Sequence, residues 1–96
     1  MIAIKLPATL RQFAGGQPEV HVAAGTVSEA LGQLFDQYPA LRQHLTNDEG
    51  QLRPYVNLFL GDENIMALRG LETPLKSGDR LLLLPSIAGG SQRSSA

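Results

Sequence analysis

The sequence predicts an α+β fold: a mixed four- to five-stranded sheet with one main helix packed on one face. Three observations predict it. Residues 2–6 and 19–23 alternate apolar and polar side chains with the period of two that marks a strand with one buried face. A helix-start signal at Thr26 opens an apolar stripe at helical spacing. More alternating runs then follow, and a sheet and a helix that each carry one apolar side must bury those sides against each other.

The first strand is Ile2-Ala3-Ile4-Lys5-Leu6, with Ile2, Ile4 and Leu6 inward. Gly15-Gly16-Gln17-Pro18 is a turn signal, because Gly supplies positive φ and Pro fixes its own. Glu19-Val20-His21-Val22-Ala23 is the second strand, so the two form an antiparallel hairpin whose loop exceeds the tight two-residue type. Thr26-Val27-Ser28-Glu29 reads as a capping box, with the Thr hydroxyl accepting from the Glu29 N–H and the Glu carboxylate reaching back to the N–H of Thr26. From there Val27, Ala30, Leu31, Leu34, Phe35 and Tyr38 make one stripe. Pro39 stops the helix, since the residue before a proline disfavours α geometry. Ala40 to Leu45 adds a short helical turn, and Thr46-Asn47-Asp48-Glu49-Gly50 is a polar loop. Tyr55 to Leu60 is the third strand, with Val56, Leu58 and Leu60 inward, and Gly61-Asp62 turns the chain. Ile65 to Leu71 is weakly patterned and is assigned a short edge strand. Pro74-Leu75-Lys76-Ser77-Gly78-Asp79 is a loop leading into a last strand, Arg80 to Pro85. The first and last strands can pair in parallel at the centre, because the chain between them is long enough for a crossover. The domain therefore spans 1–87, and 88–96, small and polar, forms a tail unlike packed sequence.

Composition removes several function classes. The 96 residues support one small core and contain no cysteine, which excludes disulfides and thiolate metal sites. A formal charge of −1, from 8 basic and 9 acidic residues, leaves no footprint for nucleic acid. No apolar run reaches the ~20 residues of a membrane span, and the N-terminal residues do not read as a signal peptide; the expected location is cytoplasmic, with no membrane partner. His21 and His44 fall on separate elements and read as surface residues, so no metal site is expected. Gly15-Gly16 lacks the following Lys-Ser/Thr of a phosphate loop. The serines have no base motif beside them to activate a nucleophile. No enzyme motif remains.

Two features stand out. If Leu81 and Leu83 face the helix, alternation turns Leu82 and Leu84 outward, and Phe59 on the preceding strand with them. Such an apolar patch marks a partner surface unless a loop covers it or it is ordinary scattered exposure. The other feature is Ala88-Gly89-Gly90 directly after the last strand, a weak signal alone that gains weight from the order of elements before it.

This pattern resembles the ubiquitin-like β-grasp proteins, and within them the ThiS/MoaD family of bacterial sulfur carriers. The resemblance covers 1–90. It is carried by Ile2 to Leu6, the capped helix at Thr26, Val56-Asn57, Pro74-Leu75-Lys76-Ser77-Gly78-Asp79 and Leu83-Leu84-Pro85-Ser86-Ile87-Ala88-Gly89-Gly90. Arg53-Pro54-Tyr55-Val56-Asn57 and Gly61-Asp62-Glu63-Asn64 look most like the CysO-type carriers of a cysteine-forming pathway; the molybdopterin-synthase small subunit is the runner-up.

The resemblance implies a non-enzymatic carrier whose reactive group is the Gly90 carboxylate. An activating enzyme similar to ubiquitin-activating (E1) enzymes would adenylate it with ATP, and a sulfur donor would convert it to a thiocarboxylate. The carrier itself would hold no stable cofactor. Gly89 and Gly90, lacking Cβ, suit a narrow catalytic channel. Residues 87–90 reach about 13 Å at the ~3.3 Å rise of extended chain, while Phe59, Leu82 and Leu84 supply docking area. The implied acceptors are a pyridoxal-phosphate-dependent cysteine synthase, a molybdopterin-synthase large subunit, or thiazole formation. The sequence departs from the family in that Ser91 to Ala96 follow Gly90, which implies removal by a JAMM-type zinc metallopeptidase. Conjugation of Gly90 to lysines of other proteins uses the same activation and is the second reading; a binding module that shares only the fold is the third.

Overall fold

The computed structural model describes residues 1–85. Five strands form one mixed sheet in the order β2-β1-β5-β3-β4: β1 (Ile2–Lys5), β2 (Glu19–Val22), β3 (Val56–Leu60), β4 (Glu63–Asn64) and β5 (Arg80–Pro85). The hairpin is antiparallel, with Ile2 opposite Val22 and Ile4 opposite Val20. β1 and β5 pair in parallel at the centre, the arrangement that the long connection between them allows, with Ile4 opposite Leu81. β3 runs antiparallel along the other side of β5, with Leu58 opposite Leu83.

The main helix, α2 (Val27–Gln37), lies over one face of this sheet. Ile2, Ile4, Val22, Leu58, Leu81 and Leu83 meet Val27, Ala30, Leu31 and Leu34 in a single core, and nearly all are fully buried. Burying one such branched side chain contributes roughly 1.5–3 kcal/mol. Val56 and Leu60, expected in the core set, are half-buried and pack at its margin.

The start of α2 differs in one atom pair from the expected capping box. Thr26 Oγ1 accepts from the Glu29 N–H at 3.2 Å, but the Glu29 carboxylate takes the N–H of Gly25, at 2.8 Å, rather than that of Thr26. One turn later the Gln33 side chain bonds both backbone groups of Ala23, accepting from its N–H at 3.2 Å and donating to its carbonyl. These contacts fix the helix against the end of β2.

Two segments differ from expectation. The hairpin connection is not only a loop: it contains α1 (Ala8–Arg11) and a 3₁₀ turn, Gln12–Ala14. Leu10 and Ala14, four residues apart, are buried against the core, and Gly15 ends the turn at φ +66°. The stretch assigned to an edge strand, Ile65 to Leu71, instead holds 3₁₀ turns at Ile65–Ala67 and Gly70–Glu72. Asn64 is the cause, since its side chain accepts the Met66 N–H at 2.9 Å and bends the chain after only two residues of β4. The short turn after Pro39 is a full helix, α3 (Pro39–Leu45), with Leu41 and Leu45 buried.

Candidate functional site

The site is built around the last strand. The Pro74–Asp79 segment launches it through four bonds. Leu75, itself buried, donates its N–H to the Gly25 carbonyl at 2.8 Å. The Asp79 carboxylate accepts from the Lys76 N–H at 2.8 Å, closing the turn on itself. Gly78, at φ +93°, passes its N–H to the Met1 carbonyl at 3.0 Å, and Ala3 bonds the Asp79 carbonyl at 3.1 Å. The turn thus clamps onto the beginning of β1 and sets the parallel register. On the far side the Arg53–Asn57 segment turns into β3 through the bond from Val56 N–H to the Arg53 carbonyl, 3.0 Å. Val56 then stands opposite Pro85. The two motifs singled out in the sequence therefore grip the start and the end of the same central strand.

Period-two alternation along β5 separates its side chains by face. Leu81 and Leu83 are 0% exposed, whereas Leu84 is 39% exposed and Leu82 is half-buried. Phe59 sits directly opposite Leu82 across β3–β5, and Leu84 is opposite Asn57. The structure thus brings the expected patch of Phe59, Leu82 and Leu84 together on the outward face. Phe59 and Leu82 are less exposed than alternation alone suggests, since both lie within a five-stranded sheet with strands on each side. Ala88, Gly89 and Gly90 lie outside the described residues, as do Ile87 and the 88–96 tail.

The other polar candidates do not assemble. His21, on β2, lies 3.4 Å from the Glu19 carboxylate at the surface. The His44 ring, on α3, stacks against Phe13 with centroids 4.0 Å apart. Asn47 Oδ1 takes the N–H groups of Glu49 and Gln51, so the acidic loop folds around an Asx turn. Among the described residues no group of three His, Cys, Asp or Glu is placed to hold a metal ion. No helix there is long and apolar enough to cross a membrane. A feature the sequence reading missed is an open apolar groove of about 540 Å³ beside β3, lined by Leu52, Val56, Leu58, Ile65, Met66 and Leu71. Its signal in the sequence is the apolar content of 65–71.

A five-stranded mixed sheet around one main helix, with β1 and β5 parallel at its centre, defines a ubiquitin-like β-grasp domain. The chain belongs to the ThiS family, whose model matches residues 4–90. It is 30% identical over 91 residues to the sulfur carrier protein CysO of Mycobacterium tuberculosis, covering 93% of this chain and 98% of the relative. Among solved structures, the Amycolatopsis orientalis BexX/CysO complex contains a chain matched at a TM-score of 0.83 and 30% identity, over 94% of this chain and 100% of that one. The small archaeal modifier protein 1 of Methanosarcina acetivorans matches at a TM-score of 0.81 and 37% identity, over 93% and 95%. Members of this family are small carrier proteins, and the chain is not itself an enzyme.

Proposed function

We propose that this chain carries sulfur as a thiocarboxylate on Gly90, formed after residues 91–96 are removed, and that it supplies cysteine biosynthesis. The observation that carries this reading is that the ThiS-family match ends at Gly90. The chemistry follows from the carboxylate. A free carboxylate resists nucleophiles because its charge is delocalised. Attack of one carboxylate oxygen on the α-phosphorus of ATP releases pyrophosphate and leaves an acyl adenylate. A hydrosulfide equivalent then forms the C–S bond as the C–O bond to AMP breaks, and AMP departs. A separate E1-like enzyme supplies this step with its ATP, and the outward Phe59, Leu82 and Leu84 form its docking surface. A JAMM-type peptidase exposes Gly90, and a pyridoxal-phosphate-dependent cysteine synthase uses the sulfur. Similarity to CysO favours this route over molybdopterin or thiazole formation.

The test is mass spectrometry. A chain ending at Gly90, incubated with its activating enzyme, ATP and a sulfur donor, gains about 16 Da, the atomic-mass difference between sulfur and oxygen; no gain overturns the reading. Deleting the gene then separates the routes, since a cysteine requirement supports the first and isolated loss of molybdoenzyme activity supports the alternative.

A second reading, conjugation to protein lysines, is favoured by similarity to proteins named as modifiers. The small archaeal modifier protein 3 of Haloferax volcanii is 34% identical over 65 residues, covering 68% of this chain and 70% of that one. A tagged chain ending at Gly90 that produces a ladder of heavier bands in its own cell would establish this route.

A further inference from the structure

We propose that the apolar groove beside β3 is the resting seat of this chain's own tail. Ile87 lodges among Leu52, Val56 and Leu71 and, once residues 91–96 are removed, the Gly90 carboxylate pairs with Arg53. The trimmed form belongs to the carrier reading above, and the carboxylate half of the inference rests on it. The groove encloses about 540 Å³ and is open along one side. Its rim carries two apolar side chains that the described residues leave uncovered, Met66 at 79% and Leu71 at 40% exposed.

The occupant is argued from where the chain leaves the sheet. β5 delivers Pro85 opposite Val56, itself a lining residue. Adjacent strands stand about 4.8 Å apart, so the tail begins at the edge of the groove. At that point β5 runs antiparallel to β3 and points along the segment that leads back to Arg53, another lining residue. Residues 86–90 extend at most about 16 Å at ~3.3 Å per residue, enough to cover that segment. Leu81 and Leu83 take the buried face together with Leu58, which also lines the groove, and a period of two carries position 87 to the same side. Ile87 is the one large apolar residue after Pro85.

Charge agrees with this occupant. Arg53 is the only ionisable side chain among the lining residues, and none of them is a carboxylate. It is half-buried, and its backbone is held on both sides: its N–H donates to the Leu45 carbonyl at 2.9 Å and its carbonyl accepts from the Val56 N–H at 3.0 Å. The ion pairs among the described residues, His21–Glu19 and Arg42–Asp36, do not use it. Glu49, Glu63 and Glu72 flank lining residues in sequence, but all three are exposed and none lines the groove. A guanidinium in an apolar trough suits an apolar segment that ends in a carboxylate. Residues 87–90 take that form after trimming: one branched side chain, three small residues and a terminal charge. In the 96-residue chain position 90 is a neutral peptide unit, so Arg53 distinguishes the trimmed tail from the untrimmed one. The seat is shallow, because one anchor and one ion pair oppose the entropy of ordering four residues. A partner enzyme can therefore draw the tail out.

The experiment is NMR on the 96-residue chain and on the chain ending at Gly90, which keeps every described residue. Neither sample needs ATP or a sulfur donor. Both are expected to show NOEs from the Ile87 methyls to methyls of Leu52, Val56 or Leu71, unchanged on dilution and lost in Ile87→Ser and Leu71→Asp. Trimming is expected to raise their intensity about 3-fold, the scale of a solvent-accessible ion pair. Arg53→Gln should return it to the untrimmed level, and Arg53→Lys should keep most of the gain. Absence of the NOEs in both chains overturns the seat and leaves the groove to a partner protein. NOEs found only between labelled and unlabelled copies assign the groove to a second chain and also overturn it. A trimming gain that survives Arg53→Gln overturns the carboxylate pair. If Arg53→Gln melts early, the gain must instead vanish in the parent at about 1 M salt, where the screening length falls to ~3 Å, or the pair falls. Failure of the seat leaves thiocarboxylate formation untouched, whereas a trimmed chain that seats its tail but never gains sulfur overturns the carrier reading alone.

Discussion

Thr26 does two jobs at one corner of the molecule. Its hydroxyl caps α2 by accepting the Glu29 N–H, and its backbone forms an isolated antiparallel bridge to Pro74. The Val27 N–H donates to the Thr73 carbonyl at 3.1 Å, so the helix start is tied to the segment that launches β5. Removing the hydroxyl leaves one helix N–H without its side-chain acceptor but keeps the backbone bridge. Thr26→Ala is therefore expected to cost about 1 kcal/mol in urea unfolding, while Thr26→Ser stays close to the parent. Leu83 is a different case. It is 0% exposed and opposite Leu58 beneath the helix, so Leu83→Ala removes contacts on every side. Its expected cost is about 2–5 kcal/mol, a large share of the total for a domain of this size, read from the same unfolding curves. Its neighbour Leu84, 39% exposed, can be truncated to Ala at a small fraction of that cost.

At the scale of elements, the turn before β5 controls where that strand sits. Gly78 holds φ +93°, and nothing stands within 4 Å of a Cβ built on it, so the cost of a side chain there is conformational and not steric crowding. Gly78→Ala is expected to destabilise by about 1–2 kcal/mol through the left-handed backbone alone. Amide exchange should then speed up first at Ala3, which bonds Asp79, and along β5. Faster exchange confined to β4 would contradict the clamp. The two segments that differ from the sequence reading also belong to this scale. Central strands and α2 are legible because long alternating or helical runs meet a dedicated partner face. Residues 65–71 are not, because one side-chain bond from Asn64 to the Met66 N–H redirects the backbone, and no hydropathy period encodes that. The Ala8–Arg11 helix hides for another reason. Leu10 and Ala14 do show i, i+4 spacing, but one helical turn is too short for the period to stand out. The outward patch was legible from alternation alone, whereas its partial burial required the register that places Phe59 opposite Leu82.

For the whole molecule the question is where folding ends and the reactive segment begins. Among the described residues, the core cluster runs as far as Leu83 and the β3–β5 pairing as far as Val56 with Pro85. The family match continues to Gly90. The division expected from the sequence, a domain over 1–87 and a tail over 88–96, belongs to the carrier proposal, which requires it. A reactive carboxylate must enter another protein's slot without costing the carrier its core, and removal of 91–96 must leave the fold intact. The chain ending at Gly90 should accordingly melt within about 1 °C of the 96-residue chain, because a shift of several degrees corresponds to roughly 1 kcal/mol in a domain this size. A chain ending at Leu82 provides the contrast, since it loses Leu83 and the β5 pairings at Asn57 and Val56 and is expected not to fold. If trimming at Gly90 alone lowers the melting temperature by several degrees, residues 91–96 contribute to the folded state. Their removal would then be a structural event and not merely the exposure of a carboxylate.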